Sequence, residues 1–566
     1  MQPHFLPGRT YSFLFILLGL AYLPALFVPL MDNDSAHHAN IALHMYLTGD
    51  YVNLVDHKGD YLDKPHLLFW LCAFSYKIFG VTSFAYKLPS LLFTLLGTYS
   101  TYRLGWILYN KETGKLAALV LASALAYMLA NNDVRMDAIL TASVAFGTWQ
   151  LAAFIHTKKW VHVAGAALGL ALAFSTKGMI GVLVPLAGAF FYVLYRKEWA
   201  LFFNPKWLIL AIGFGLFIFP VVYCYYVQFN LHPEKIVRGR DHIDGVRFIL
   251  WGQSFERFEG ESFGGHGRRD PLFFVHTFIW AYCPWCMLAL ISLVAGTKTL
   301  IARRQEWLTA GVFITVMLGI SLSGFKLPHY LNIVFPAASI LVASFLVNRL
   351  AGSGSRWIKP VFNLQLAITV LLSACMLFLN TWAFPIRNAW VVFFILSLVL
   401  LFYLFISSGF SMLQKTVLVP AAAMIICFFL LNINFYLQLL HYQGGSELAF
   451  RTKEKINPQD VYLWKGLYTP SWNFYTATDR RVFEDTVYRS GRTIWLLTDQ
   501  AGLEEIQQAG YQLGDVYTNP DYGITRLKLS FVNPLTRKKA CTEMVLAAIR
   551  GKHTGPDPAG LSAATH

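Results

Sequence analysis

The sequence predicts a polytopic α-helical membrane protein with interfacial helices in its loops and a small α/β domain at its C-terminal end. Three observations predict it. The 566 residues are 56% hydrophobic and 16% aromatic but only 14% charged, a balance foreign to soluble domains. Apolar stretches of about 17–22 residues, the length that crosses a bilayer, recur along the chain. Short clusters of lysine and arginine fall in alternate loops between them, as the positive-inside rule requires.

Thirteen spans are expected, near 11–31, 88–109, 116–131, 138–156, 160–175, 179–195, 207–227, 273–295, 308–323, 330–349, 360–380, 389–411 and 417–438. The first has Arg9 and an apolar core, as a signal peptide would. It is long, though, and lacks a small-residue cleavage site, so it reads as a retained span. Lys111 with Lys115, Lys158-Lys159, Arg196-Lys197 with Lys206, Arg303-Arg304, Arg356 with Lys359, and Lys415 mark the cytoplasmic loops and place the N-terminus with them. An odd number of spans then puts loop 32–87, loop 228–272 and the C-terminal region on the extracytoplasmic side. The net charge of +15 does not indicate nucleic acid: from Gly444 onward 15 basic residues meet 13 acidic ones, so the excess belongs to the membrane half. Among seven scattered cysteines, Cys283-Pro284-Trp285-Cys286 is the one CxxC. It reads as the start of an apolar helix with Pro284 in its first turn, a packing role.

Loop 32–87 opens on Asp32 and Asp34, carboxylates at a membrane surface that need an explanation. Asp34 or Ser35 can cap a helix that runs through Leu47, with Ile41 and Met45 on one face and Gly49-Asp50 as its stop. A second interfacial helix is expected from Pro65 to Gly80. The far-side loops break the charge rule: Lys58, Lys64, Arg135, Lys177, Arg238, Arg240, Arg247, Arg257, Arg268, Arg269 and Lys326 all fall there. A lipid phosphate or pyrophosphate would need such partners, whereas any one of them could instead snorkel to headgroups. Residues 1–442 form the membrane domain. Over 443–551, runs at Val461–Trp464, Thr493–Leu497 and Ile524–Leu529 read as strands and Gly502–Gly510 as a helix. The tail 552–566 is expected to be disordered.

Several strings follow one another in a recognisable order. Asp34-Ser35-Ala36-His37-His38-Ala39-Asn40-Ile41, Gly49-Asp50, Asp63-Lys64-Pro65-His66, Phe79-Gly80 and Lys87-Leu88-Pro89-Ser90 come first. Arg135-Met136-Asp137, Ser175-Thr176-Lys177-Gly178, Trp251-Gly252-Gln253 with Arg257-Phe258, His266, Pro284-Trp285 and Lys326-Leu327-Pro328-His329-Tyr330 continue the series as far as Pro336. On these the chain resembles the GT-C glycosyltransferases, in the bacterial branch with lipid A aminoarabinose transferase and relatives of the dolichyl-phosphate-mannose protein mannosyltransferases. The branch pattern is D-E-x-R-Y-A-x-I, G-D, an acid followed by K-P-P, F-G and R-L-P. This chain departs at Ser35, His37 and His66, which stand for Glu, Arg and Pro and bear on the sugar and acceptor.

The resemblance implies a GT-C fold in a bacterial inner membrane. It also implies transfer of a sugar from a polyprenyl-phosphate donor, undecaprenyl phosphate in bacterial members, to a lipid A, protein or polysaccharide acceptor, with inversion. Such a reaction wants a carboxylate base for the acceptor and cations for the departing phosphate. Asp34 aligns with the family's catalytic aspartate, beside its alternative role as a helix cap. Lys64 is the candidate for the phosphate, or a partner of Asp63. Asp137 would order the site or contact Lys64, or pair with Arg135. Arg135, Lys177, Arg257, His266, Lys326, His329 and Tyr330 are the further substrate contacts expected.

No metal is required by a monophosphate donor served by lysines and arginines. Two patterns could hold a divalent ion: the D-x-D of Asp32-Asn33-Asp34, and His37-His38 with His66. The first is a short string, and adjacent histidines on a helix point apart. No Gly-rich phosphate loop and no Ser/His/Asp order stands out. Two other readings compete. A ligase or oligosaccharyltransferase would use a pyrophosphate-linked glycan. A lipid or glycan transporter should show related halves and midplane charges, whereas these charges crowd the loops.

Overall fold

In the computed structural model the described residues are 5–552, except 260, 263–264, 267–269, 303, 352–355, 408, 466, 480 and 485–492. At 257–259, 261–262, 265–266 and 552 the backbone alone is described, so the side chains of Arg257 and His266, with Arg268, Arg269, Arg303 and the tail beyond 552, lie outside it.

Each of the thirteen apolar stretches is helical. Among the described residues eight helices are long and apolar enough to cross a bilayer: Gly8–Phe27, Asp137–Thr157, Met179–Arg196, Lys206–Asn230, Pro328–Leu350, Ile358–Ala383, Ala389–Ser407 and Met412–Leu440. A ninth stretch, expected to be continuous over 273–295, is broken into Phe273–Ala281 and Cys286–Ile301, bent by 117°. Pro284 stands in that corner rather than in a first helical turn, because its ring and missing N–H interrupt a helix. Trp285 is buried beside it and donates from Nε1 to Ser123 Oγ at 3.1 Å. Ser83–Leu108, Lys111–Ala122 with Leu125–Leu129, Trp160–Lys177 and Leu308–Leu322 complete the set without meeting the same measure of length and mean hydropathy.

Asp137–Thr157 is buried along nearly its whole length, while Ile358–Ala383 and Ala389–Ser407 leave most of their apolar side chains exposed, as a lipid-facing helix does. Without a hydrophobic drive between helices in lipid, close backbone packing holds the bundle together. A Cβ on Gly169 would stand 2.6 Å from the Cα of Gly147 on the neighbouring helix, and one on Gly105 would stand 3.0 Å from the Cα of Gly114.

Lys87, fully buried, joins the first span to its loop. Its Nζ donates to Ala25 O at 3.1 Å and Val28 O at 2.8 Å, satisfying carbonyls where the helix ends. The loop that follows forms the helix Asp34–Thr48, stopped by Gly49 at φ 74°, then a short hairpin pairing Asp56 with Gly59, then the helix Leu67–Phe79. That second helix begins two residues later than expected, since His66 occupies its N-cap and donates from Nε2 to Val52 O at 2.9 Å.

The C-terminal region carries a four-stranded sheet in the order Val461–Leu463, Ile494–Asp499, Thr542–Lys552, Tyr511–Asp521. Its first pair is parallel and the others antiparallel. Asp499 caps the helix Gln500–Gln508 by accepting from Gly502 N–H at 2.8 Å. The expected strand at 524–529 is absent: Tyr522 takes over the segment, its hydroxyl bonded to Arg526 O and Lys528 N–H. The last two strands come from 511–521 and 542–552 instead.

Gly169→Val is expected to destabilise the protein by about 1–3 kcal/mol, the usual cost of overpacking, because its side chain would collide with the Gly147 backbone. Gly19→Ala, with nothing within 4 Å, is expected to leave stability unchanged. Unfolding of the two variants in one detergent checks both.

Candidate active site

The turn Asp32-Asn33-Asp34 sends its three side chains in three directions. Asn33 Oδ1 accepts the Ser35 N–H at 2.8 Å and so caps the first interfacial helix. The cap role is therefore not Asp34's. Asp34 is the first helical residue, its side chain 54% exposed, and its Oδ2 accepts from Arg135 Nη1 at 2.9 Å. Asp32 turns the other way: Oδ2 accepts from Thr469 Oγ1 and Oδ1 from Ser471 N–H, both at 2.9 Å. Burial pushes its carboxyl up to about 6, against those hydrogen bonds. The two acids of the D-x-D diverge, so the string does not form a metal clamp.

Arg135 is held on its second side by Asp133, whose Oδ2 accepts from Nε at 3.1 Å and Nη2 at 2.8 Å, and from Asn33 Nδ2 at 3.3 Å. Asp133 was not singled out from sequence. Its only signal is its place at the end of the polar run Asn131-Asn132-Asp133, two residues before Arg135. Asp137 is bonded neither to Lys64 nor to Arg135. Its Oδ1 accepts from Lys177 Nζ at 3.0 Å, with His329 Nε2 3.8 Å from Oδ2. Lys177 Nζ also lies 4.2 Å from the centre of the Tyr330 ring, a cation–π contact. Asp137 and Lys177 are 6% exposed at their side chains, so the structure brings four expected residues into one buried cluster. Lys177 and Tyr330 line a small apolar pocket of about 120 Å³ with Leu140, Ile180, Ile320 and Ile333.

Lys64 Nζ donates to Asp63 Oδ2, and Arg238 bonds the other oxygen at 3.4 Å while reaching Glu256 at 3.1 Å. Gln253 lines the Lys177 pocket and donates to Asp63 O, so it stands between the two clusters. Loops 32–87 and 228–272 enclose a cavity of about 1260 Å³ whose wall includes Lys58, Arg238, Arg240 and Arg247 among six acids. Of the loop cations, Lys64, Arg135, Lys177 and Arg238 are ion-paired with neighbouring carboxylates. Lys326 is half-buried on the segment before Pro328–Val334. The trio His37, His38 and His66 is dispersed: His38 is buried with its ring edge on Phe69, and His66 faces Val52 O with its pKa lowered to about 4 by burial.

The family described as dolichyl-phosphate-mannose-protein mannosyltransferase matches residues 63–224. The undecaprenyl phosphate-alpha-4-amino-4-deoxy-L-arabinose arabinosyl transferase of Pseudomonas paraeruginosa is 25% identical over 386 residues, 66% of each chain. That of Yersinia enterocolitica is 26% identical over 353 residues, 60% of each chain. The match thus spans just under two thirds of these relatives' length. The crystal structure of ArnT from Cupriavidus metallidurans bound to undecaprenyl phosphate superposes with a TM-score of 0.71 at 17% identity, over 95% of this chain and 98% of that one. The apo structure of the same protein gives 0.70 at 18% identity over the same shares. The resemblance read from the loop motifs is borne out: the chain shares its fold with ArnT and is similar in sequence to the mannosyltransferase family model and to the bacterial aminoarabinose transferases.

Proposed function

We propose that the chain transfers a sugar from a polyprenyl-phosphate donor, undecaprenyl phosphate as in the ligand of its structural neighbour, to an acceptor on lipid A, protein or polysaccharide. The reaction is placed at the extracytoplasmic face of a bacterial inner membrane, where the charged loops would lie. One observation carries the reading: Asp34 offers a half-exposed carboxylate, held in place by Arg135 and released from capping by Asn33.

In this reading Asp34 takes the proton of an acceptor hydroxyl as its oxygen attacks the anomeric carbon. The bond from that carbon to the phosphate oxygen breaks, the phosphate leaves with the electron pair, and the carbon inverts. Arg135 fixes the orientation of the base, and Asp133 fixes Arg135. The apolar pocket that ends on Lys177 suits a lipid chain and its phosphate, with Lys64 across Gln253 as a second cation. No step in this displacement needs a metal. Arg257, His266, Lys326, His329 and Tyr330 remain proposed contacts to donor or acceptor.

Asp34→Asn keeps the shape and a hydrogen-bond acceptor for Arg135 but cannot take a proton. Activity is expected to fall by about 10²–10⁴-fold. Mass spectrometry of outer glycolipids and glycoproteins from cells carrying intact protein, Asp34→Asn or a deletion should show the same sugar mass missing in both mutants. Full modification by a folded Asp34→Asn protein would show that another group is the base. Lys177→Met leaves Asp137 a buried, partly uncompensated charge, and a stability loss of about 3–5 kcal/mol is expected. Adding Asp137→Asn should restore much of that stability without restoring transfer, as unfolding and glycolipid measurements on the double variant would show.

A further inference from the structure

Two elements of the first loop and one of the C-terminal region meet at a point the transfer mechanism does not use. His37 lies one turn after Asp34 on the helix Asp34–Thr48. Asp56 and His57 lie at the tip of the short hairpin, where Gly59 at φ 107° lets the chain reverse. Tyr468 arrives from the C-terminal region, its hydroxyl bonded to His37 Nδ1 and its ring stacked on His57 at 3.9 Å.

The geometry points to a divalent-cation site, of the class that zinc fills, formed by His37, Asp56 and His57 where the first interfacial helix, the hairpin tip and Tyr468 converge. One ligand atom from each of the three lies within 4.8 Å of the others. His37 Nε2 is 3.7 Å and His57 Nδ1 3.9 Å from Asp56 Oδ2. Those distances are too long for hydrogen bonds. They are close to the separation of about 3.3 Å between two ligands on a tetrahedral zinc with bonds of about 2.0–2.1 Å, so a small contraction closes them on an ion.

The outer atoms of two of the ligands, Asp56 and His37, are held as a metal site requires. Asp56 Oδ1 accepts the Lys58 N–H at 2.6 Å, which leaves Oδ2 turned to the imidazoles. The Tyr468 hydroxyl engages His37 Nδ1 and leaves Nε2 facing Asp56. The three residues line a cavity of about 290 Å³ together with His44, Asn473 and Asp479. Three protein ligands leave one coordination position open, and water or an oxygen of an entering group fills it from that cavity. The trio of histidines considered from sequence shares only His37 with this site.

The test reads metal and not transfer, so it stands apart from the proposed glycosyltransferase reading. Full-length protein in detergent is stripped with a chelator, loaded with zinc or with cobalt as a coloured stand-in, and followed by metal analysis and visible absorption. One equivalent per chain is expected, with cobalt absorption of a four-coordinate site. Tyr468→Phe is expected to weaken binding by about 10-fold, the lower end of the range for losing a partner of a ligand, and His57→Ala and Asp56→Asn, which remove a ligand, by at least about 100-fold. His44→Ala, on the same cavity wall, should bind normally. Asp34→Asn should keep its zinc whatever becomes of transfer. Substoichiometric zinc in the intact protein overturns the proposal, and so does undiminished binding by Asp56→Asn, whose elution profile reports that it is folded.

Discussion

The hydrogen bond from the Ser35 N–H to the side chain of Asn33 is the constraint on which the site depends. A helix start offers unpaired N–H groups, and a nearby carboxylate is drawn into them. Because an amide fills that role one residue earlier, Asp34 keeps a carboxylate that projects from the helix, and Arg135 rather than the backbone becomes its partner. The same turn lets Asp32 leave in the opposite direction, into the hydroxyl and N–H of the C-terminal region. Three consecutive polar residues thus serve as an anchor, a cap and an exposed carboxylate.

Around that turn the structure arranges charge in closed sets. Asp137 with Lys177, Asp63 with Lys64 and Arg238, and Asp133 with Arg135 each pair a cation with an acid in a poorly hydrated place. A buried charge without a partner would be costly, and the pairs hold their members in fixed geometry. The helices beneath supply rigidity by another route, with glycines that bring backbones together and with Lys87 tying off the carbonyls of the first span.

Much of this was legible in the sequence, and what was not has a physical reason. Thirteen apolar stretches announce themselves because a bilayer sets one length for all of them. The break at Pro284 did not show, since hydropathy is blind to direction. The grouping of Asp137, Lys177, His329 and Tyr330 follows from ordered motifs, but the particular pairs do not: Arg135 sits two residues from Asp137 and yet binds Asp34 and Asp133. Asp56, His57 and Tyr468 escaped notice because the bond that brings Tyr468 to His37 joins residues 431 apart in the chain. In the C-terminal sheet, Thr542–Lys552 contains the run Met-Val-Leu-Ala-Ala-Ile, which suits a helix as well as it suits a strand buried between two others. At 524–529 the alternation is real, but five of six side chains there face outward or lie part-exposed.

The bonds from Asp32 to Thr469 and Ser471, and the packing of Tyr468 on the hairpin tip, bear on how such proteins diversify. The segment around Tyr468 shares the wall of one cavity with His37, Asp56 and His57, so the C-terminal region is not an interchangeable appendage. A lineage that changes its acceptor by recombination must inherit both halves of that wall together, or alter residues on both sides of the seam in step. A single crossover anywhere between the first loop and Tyr468, within the membrane bundle or near Tyr442, would divide the seam, whereas one before Asp32 would carry it intact.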